Sequence, residues 1–141
     1  EHTMKKVLLL CTHNSCRSQM AEGIVNHHLG DRFQAFSAGT EATRVNPLAI
    51  RVMTEIGIDI SSHQSKTMDQ FSGEHFDHVI TLCGDANEKC PLFFGGVKRS
   101  HLGFDDPSRL TGSEEAVLPE YRRVRDEIRQ KLTAYLLKYF T

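Results

Sequence analysis

Cys11-Thr12-His13-Asn14-Ser15-Cys16-Arg17-Ser18 carries the residue types and spacing needed to hold a tetrahedral anion and attack it. The stretch follows the apolar run Val7-Leu8-Leu9-Leu10 and precedes Gln19-Met20-Ala21-Glu22, a succession that reads as strand, loop and helix. Successive backbone N–H groups in such a loop can converge on one point. The helix that follows adds the positive end of its dipole. Arg17 supplies a planar fork of donors for two anion oxygens. The same field favours the thiolate of Cys11, and the thiolate is the nucleophilic form. The oxyanion-binding set is therefore Thr12, His13, Asn14, Ser15, Cys16, Arg17 and Ser18, with Cys11 as the attacking group. The plainer reading is a cysteine packed at a strand end before an ordinary polar loop. The C-x5-R-S spacing between a buried strand and a helix favours the anion site.

The elements that must position this loop follow from hydrophobic patterning. A non-alternating apolar run predicts a central parallel strand over 5–10. Met20, Ala21, Ile24, Val25 and Leu29 share one face of the next helix, which Gly30 stops. A second strand is expected over 33–38, closed by Gly39. Asn46-Pro47 is a helix start, with an N-cap and then proline at the first helical position. Ala49, Val52, Met53 and Ile56 form the buried stripe of that helix, and Gly57 ends it. A short helix is expected over 67–72 and a third strand over 76–82. Cys83 then stands at the end of the third strand as Cys11 does on the first. A loop or helical turn over 84–96 and a polar edge strand over 97–102 come next. Gly103-Phe104-Asp105-Asp106-Pro107 has turn chemistry. A final helix is expected from Pro119, with Val124, Ile128, Leu132, Tyr135, Leu136 and Tyr139 inward. Arg122, Arg123, Arg125, Asp126, Glu127 and Arg129 are assigned to its solvated face. Strands alternating with helices predict an α/β fold: an open parallel sheet of about four strands with helices on both faces. Ligands of such sheets bind at the carboxyl ends of the strands. Cys11, Cys83 and the Asp105-Asp106 loop all fall there.

The 141 residues fit one domain spanning 1–141, and 39% hydrophobic residues suffice for a core. Glu1-His2-Thr3 before Met4 reads as an expression remnant, and no signal peptide is visible. A net charge of −1 argues against nucleic acid or anionic membrane as a partner, and the longest apolar run is far below a membrane span. Cys11, Cys16, Cys83 and Cys90 are the only cysteines. Without a secretory signal they read as catalytic or redox thiols of a cytoplasmic protein. Zinc has little support from their spacing, and no metal or cofactor is expected.

C-T-x-N-S-C-R-S-Q-M-A-E-G resembles the phosphate loop of the thioredoxin-coupled arsenate reductases, which share the low-molecular-weight tyrosine phosphatase fold. The resemblance extends over residues 5–138. It includes Ser37-Ala38-Gly39, Val45-Asn46-Pro47, Ile58-Asp59-Ile60-Ser61, Thr81-Leu82-Cys83, Cys90-Pro91, Gly103-Phe104-Asp105-Asp106-Pro107 and the run Arg122-Arg123-Val124-Arg125-Asp126-Glu127-Ile128. The loop fits reductases and phosphatases alike, and Cys83 with Cys90 selects the reductases. His13 stands where the family usually has glycine. Some members bind potassium through residues matching Asn14, Glu22 and Ser37 plus an aspartate; Lys66 occupies the aspartate's position, and if the fold brings it to the same place its ammonium can neutralise Glu22 and support Asn14 in the ion's stead.

The resemblance implies a reaction. Cys11 attacks arsenate, and Asp106 beside Pro107 protonates the departing oxygen. Cys83 attacks Cys11 and releases arsenite, and Cys90 attacks Cys83. A dithiol protein then reduces the Cys83–Cys90 disulfide. Thioredoxin is the expected reductant, with glutaredoxin and glutathione as the alternative; phosphate and sulfate would compete with arsenate, and a monomer is expected. Cys16 is expected to be a bystander, Ser18 to hold the Cys11 thiolate, Asn14 to shape the loop, and His63 to be structural. The competing readings are a tyrosine phosphatase using Cys11, Arg17 and Asp106, and a non-catalytic anion-binding or redox-sensing module.

Overall fold

The computed structural model describes residues 4–83 and 98–139. Cys90, the loop expected over 84–96, and Val97 of the expected edge strand lie outside the described residues, as does the side chain of Tyr139. Strand β1 (Lys5–Cys11) is followed by α1 (Arg17–His28), β2 (Phe33–Gly39), α2 (Pro47–Thr54) and a 3-10 turn (Met68–Phe71). Then come β3 (His78–Thr81), β4 (Lys98–His101), a second 3-10 turn (Pro107–Arg109) and α3 (Glu114–Tyr139). The four strands pair in parallel in the order β2-β1-β3-β4.

Burial on both faces explains the unbroken apolar run of β1, where Val7 to Leu10 are wholly buried. Val7, Leu9 and Ile80 join Met20 and Ile24 of α1 and Val124, Ile128 and Leu132 of α3. On the other side Leu8, Leu10 and Val79 pack with Met68 and Phe76. There the rings of Phe36, Phe71 and Phe76 meet edge to face, the geometry aromatic quadrupoles prefer.

Register gathers the strand ends. Cys11 pairs with Gly39 and Leu10 with Thr81, while Thr81 pairs with His101. Hydrogen bonding continues beyond the strands, from Leu82 N–H to Leu10 O (2.7 Å) and from Phe104 N–H to Leu82 O (3.1 Å). The Cys11 loop, Cys83 and the 104–106 segment therefore share the carboxyl edge. β3 is shorter than the expected 76–82, although backbone bonding to β1 continues past both its ends, from Asp77 N–H to Lys6 O at 2.8 Å and from Leu82 N–H to Leu10 O, while Lys6 N–H is taken by the Asp77 carboxylate at 2.8 Å. Buried His78 contacts Ser100 Oγ at 2.9 Å and Tyr135 Oη at 3.2 Å, tying β3 to β4 and α3.

Two expectations for the last helix are corrected. The helix starts at Glu114, and Pro119 lies inside it. The Ser113 hydroxyl accepts from Ala116 N–H at 3.2 Å, and Glu114 and Glu115 complement the dipole. Ser113-Glu114-Glu115 was the true start signal, and Pro119, inside the helix, gives up the N–H that would otherwise have bonded Glu115 O.

Arg125 is the second correction. It is only 8% exposed, because it stands four residues after Tyr121 and three before Ile128 on the buried stripe. Its Nη1 donates to Val52 O (2.8 Å), an open carbonyl in the last turn of α2, and to Glu55 Oε1 (2.9 Å). Arg122 forks onto the same Glu55 carboxylate. The bonds from Arg122, then those from Arg125, hold that carboxyl down to about 2. A depressed carboxylate adds stability above its unfolded value of about 4.3. That stability should therefore fade as pH drops from there towards 2. Arg125→Met is expected to lower stability by about 1–3 kcal/mol in urea melts. Glu55→Gln should lose stability at pH 7 and flatten the decline seen in acid.

Candidate active site

The loop between β1 and α1 is built with its carbonyls turned outwards. Thr12 O accepts from Thr40 Oγ1 and from Glu41 N–H, each at 3.0 Å. Ser65 Oγ donates to His13 O at 2.8 Å, and Gln19 Nε2 to Asn14 O at 3.1 Å. Asn46 N–H reaches Ser15 O, and Met20 N–H reaches Cys16 O, both at 2.9 Å. Among the described residues, the N–H groups of His13 to Cys16 donate to no backbone carbonyl. Helix α1 also begins without a side-chain cap at Cys16 and without an acidic residue in its first turn. An anion at this point would satisfy donors that helix starts otherwise leave open.

Two residues allow so tight a turn. Asn14 adopts the left-handed conformation with φ of 49°, which asparagine tolerates better than most residues. Gly39 lies so close that a Cβ there would come within 2.6 Å of Thr12 O and 2.7 Å of Asn14 N.

Cys11 lies buried at the base of the loop with its Sγ 2.8 Å from Ser18 Oγ. Thr12 Oγ1 lies 3.1 Å from Cys83 Sγ, which places a second thiol against the residue next to Cys11. Arg17 bridges the loop to the 104–106 segment. Its Nη1 donates to Phe104 O at 3.1 Å, and its Nη2 lies 3.4 Å from Asp106 Oδ2. Asp106 Oδ1 is held by the N–H and hydroxyl of Ser108, at 3.0 and 2.6 Å. Asp105 turns away and pairs with Arg123 at 3.0 Å on the surface. A small depression over the loop is lined by Cys11, His13, Ser15, Cys16, Arg17 and Asp106, together with Ser108.

The structure thus brings Cys11, Thr12, His13, Asn14, Ser15, Cys16, Arg17, Ser18, Cys83 and Asp106 together. Burial, then the charges of Asp106 and Cys11, push the Cys16 thiol up, so it stays protonated. His13 pairs at the rim with Glu41, at 3.1 Å. Lys66 does not reach Glu22: its ammonium donates to Gln64 O at 2.7 Å, a carbonyl two residues away. Instead Ser37 Oγ donates to Glu22 Oε1 at 2.5 Å, and His63 Nδ1 lies 3.7 Å from Glu22 Oε2. The idea that Lys66 neutralises Glu22 is therefore corrected. Sequence reading assigned no role to Gln19 or Thr40, and to Gly39 only that of closing a strand. Gln19 alone left a signal, as a polar residue beside the core residues Met20 and Ala21. Among the described residues no helix is long and apolar enough to cross a membrane.

The sequence model of the low molecular weight phosphotyrosine protein phosphatase family matches residues 6–139. An arsenate reductase of Bacillus subtilis (strain 168) is 50% identical over 131 residues, covering 93% of this chain and 94% of the relative. The solved structure described as an arsenate reductase in the phosphate binding state superposes with a TM-score of 0.81 at 34% identity, over 96% of this chain and 98% of that one. A thioredoxin-dependent arsenate reductase of Corynebacterium glutamicum gives a TM-score of 0.67 at 26% identity, over 96% of this chain and 63% of its own.

Gly39→Ala tests the close approach of β2 to the loop. Overpacking against backbone is expected to cost about 1–3 kcal/mol of stability and to weaken phosphate binding in titration calorimetry. Unchanged stability and affinity would mean that the strand end yields without moving the loop.

Proposed function

The chain belongs to the low molecular weight phosphotyrosine protein phosphatase family, among its arsenate reductases, and from that premise we propose that it reduces arsenate to arsenite through a relay of thiols ending on a dithiol protein such as thioredoxin. The observation that carries the reading is the second thiol: Cys83 Sγ rests on Thr12 Oγ1, one residue from the nucleophile. The phosphatase reading would treat that thiol as packing alone.

In the proposed reaction, arsenate enters the depression against the N–H groups of residues 12–17. Arg17 gives one of its five donors to Phe104 O and forms an ion pair with Asp106, which leaves other donors for anion oxygens. The Cys11 thiolate forms a bond to arsenic, and one oxygen leaves as water with a proton from Asp106. Asp106 is preferred to Asp105 because its Oδ2 faces Arg17 while Asp105 is held at the surface by Arg123. Cys83 then attacks Cys11 Sγ. The S–S bond forms as the S–As bond breaks, and the electron pair stays on arsenic, which leaves as arsenite. Two thiols have then supplied the two electrons. Cys90 attacks Cys83, Cys11 is freed as a thiolate, and an external dithiol reduces the Cys83–Cys90 bond. Cys16 takes no part, since its buried thiol stays protonated.

Four variants test this scheme. Cys11→Ser is expected to form no arsenite while keeping the fold. Cys90→Ser should release about one arsenite per chain and then stall, because Cys83 can still attack Cys11 but the disulfide cannot move outward. Steady turnover of Cys90→Ser with thioredoxin would remove the relay. Asp106→Asn should slow arsenite formation by about 10²–10⁴, the usual worth of a positioned acid, and Asp105→Asn far less. Rapid hydrolysis of aryl phosphates without arsenite formation would favour a phosphatase instead.

A further inference from the structure

We propose that Gln19 and His63 are positioning residues that direct the Ser18 hydroxyl proton onto the Cys11 sulfur and so favour its thiolate. Two backbone groups set the direction. The N–H of Lys66 can only donate, and it lies 2.8 Å from Asn14 Oδ1. The oxygen of the Asn14 amide therefore faces Lys66, and its Nδ2 faces Ser18 Oγ at 2.8 Å. The carbonyls of Gln64 and Asn14 can only accept, and Gln19 Nε2 lies 2.9 and 3.1 Å from them. The same nitrogen is 2.9 Å from Asn14 Oδ1, so its two hydrogens are shared among three acceptors, that oxygen among them. Gln19 Oε1 is thereby turned to His63 Nδ1 at 3.0 Å, so this ring nitrogen carries a proton.

The last link follows. Ser18 Oγ accepts from Asn14, and its own proton is left for Cys11 Sγ at 2.8 Å. A hydroxyl that donates to sulfur favours the charged form of the sulfur. Asn14, Ser18 and Gln19 are wholly buried, so water does not compete for these bonds. Reversing either amide would set donor against donor or oxygen against oxygen, at the high cost of unpaired buried polar groups. The chain of donors runs one way, from His63 near the surface through Gln19, Asn14 and Ser18 to the nucleophile.

This inference deepens the proposed function and rests on Cys11 as its nucleophile, but it can be read on Cys11 without arsenate turnover. The full-length protein carrying Cys83→Ser and Cys90→Ser would be alkylated with iodoacetamide across a range of pH. Modification of Cys11 would be followed by mass spectrometry and by thiolate absorbance. The titratable and charged groups that line the depression with Cys11, namely His13, Cys16, Arg17 and Asp106, stay unchanged. Gln19→Leu is expected to raise the pH midpoint of Cys11 alkylation by about one unit, or about tenfold less thiolate at a given pH below it, as befits loss of a hydrogen bond to a charged group. His63→Leu should move it the same way. His63→Gln, which restores an N–H donor to Gln19, should return the midpoint towards the starting value. An unchanged midpoint in Gln19→Leu, with circular dichroism and phosphate affinity preserved, would overturn the inference. Should that variant not fold, an unchanged midpoint in His63→Leu overturns it equally. If no reactive thiol disappears in Cys11→Ser, the nucleophile reading falls and this inference with it. A reactive Cys11 indifferent to both leucine variants overturns this inference alone.

Discussion

A loop that is to hold an oxyanion must turn its carbonyls away from it. Each carbonyl carries partial negative charge, and five in succession follow Cys11. Here their partners come from the end of β2, from the segments around Asn46 and Ser65, and from α1 itself. The surrounding structure acts as an outer wall of donors. The inner concavity of N–H groups is the consequence, since a peptide whose oxygen is fixed on one side presents its hydrogen on the other. The sheet register serves the same end. Pairing Cys11 with Gly39 brings β2 close enough to bond Thr12, and only a residue without Cβ fits there.

The same constraint explains why so many polar side chains are buried in one small region. Asn14, Ser18, Gln19 and Ser37 are wholly buried, beside a core of aliphatic residues. Burying such groups is costly unless each finds a partner. Each does, and the pairing leaves little freedom to invert the network. Rigidity in this region is therefore a product of polar satisfaction more than of apolar packing. Glu22 belongs to the same group. Its carboxylate is held by the Ser37 hydroxyl and approached by His63.

Environment also separates the three described cysteines. Cys16 is buried among groups that oppose its ionisation. Cys11 has the Ser18 hydroxyl on its sulfur. Cys83 is less buried and rests on a threonine hydroxyl. Thiols of one intrinsic chemistry thus meet three different surroundings. Arg17 links this chemistry to the 104–106 segment, so the anion loop and the candidate acid form one unit.

What the sequence alone determined was local or periodic. The apolar run of residues 7–10 announced a central parallel strand. Asn46-Pro47 announced a helix start, which the Asn46 side chain caps by accepting from Leu48 N–H at 2.8 Å. The strand-loop-helix reading around the C-x5-R-S spacing placed a loop between β1 and α1. These signals were legible because strand period, capping and loop length depend on neighbouring residues. Tertiary structure decided what depends on residues far apart in the chain. Arg125 read as a surface charge until α2 supplied an open carbonyl and Glu55. Pro119 read as a helix start until Ser113 took that role. Lys66 read as a partner for Glu22, yet its ammonium bonds the nearby Gln64 carbonyl and only its backbone N–H reaches the loop. Gln19 carried no signal of its direction at all. The amide orientation is set by the backbone at residues 64 and 66, brought alongside by the fold, and hydrogen bonds between distant segments leave no periodic trace in a sequence.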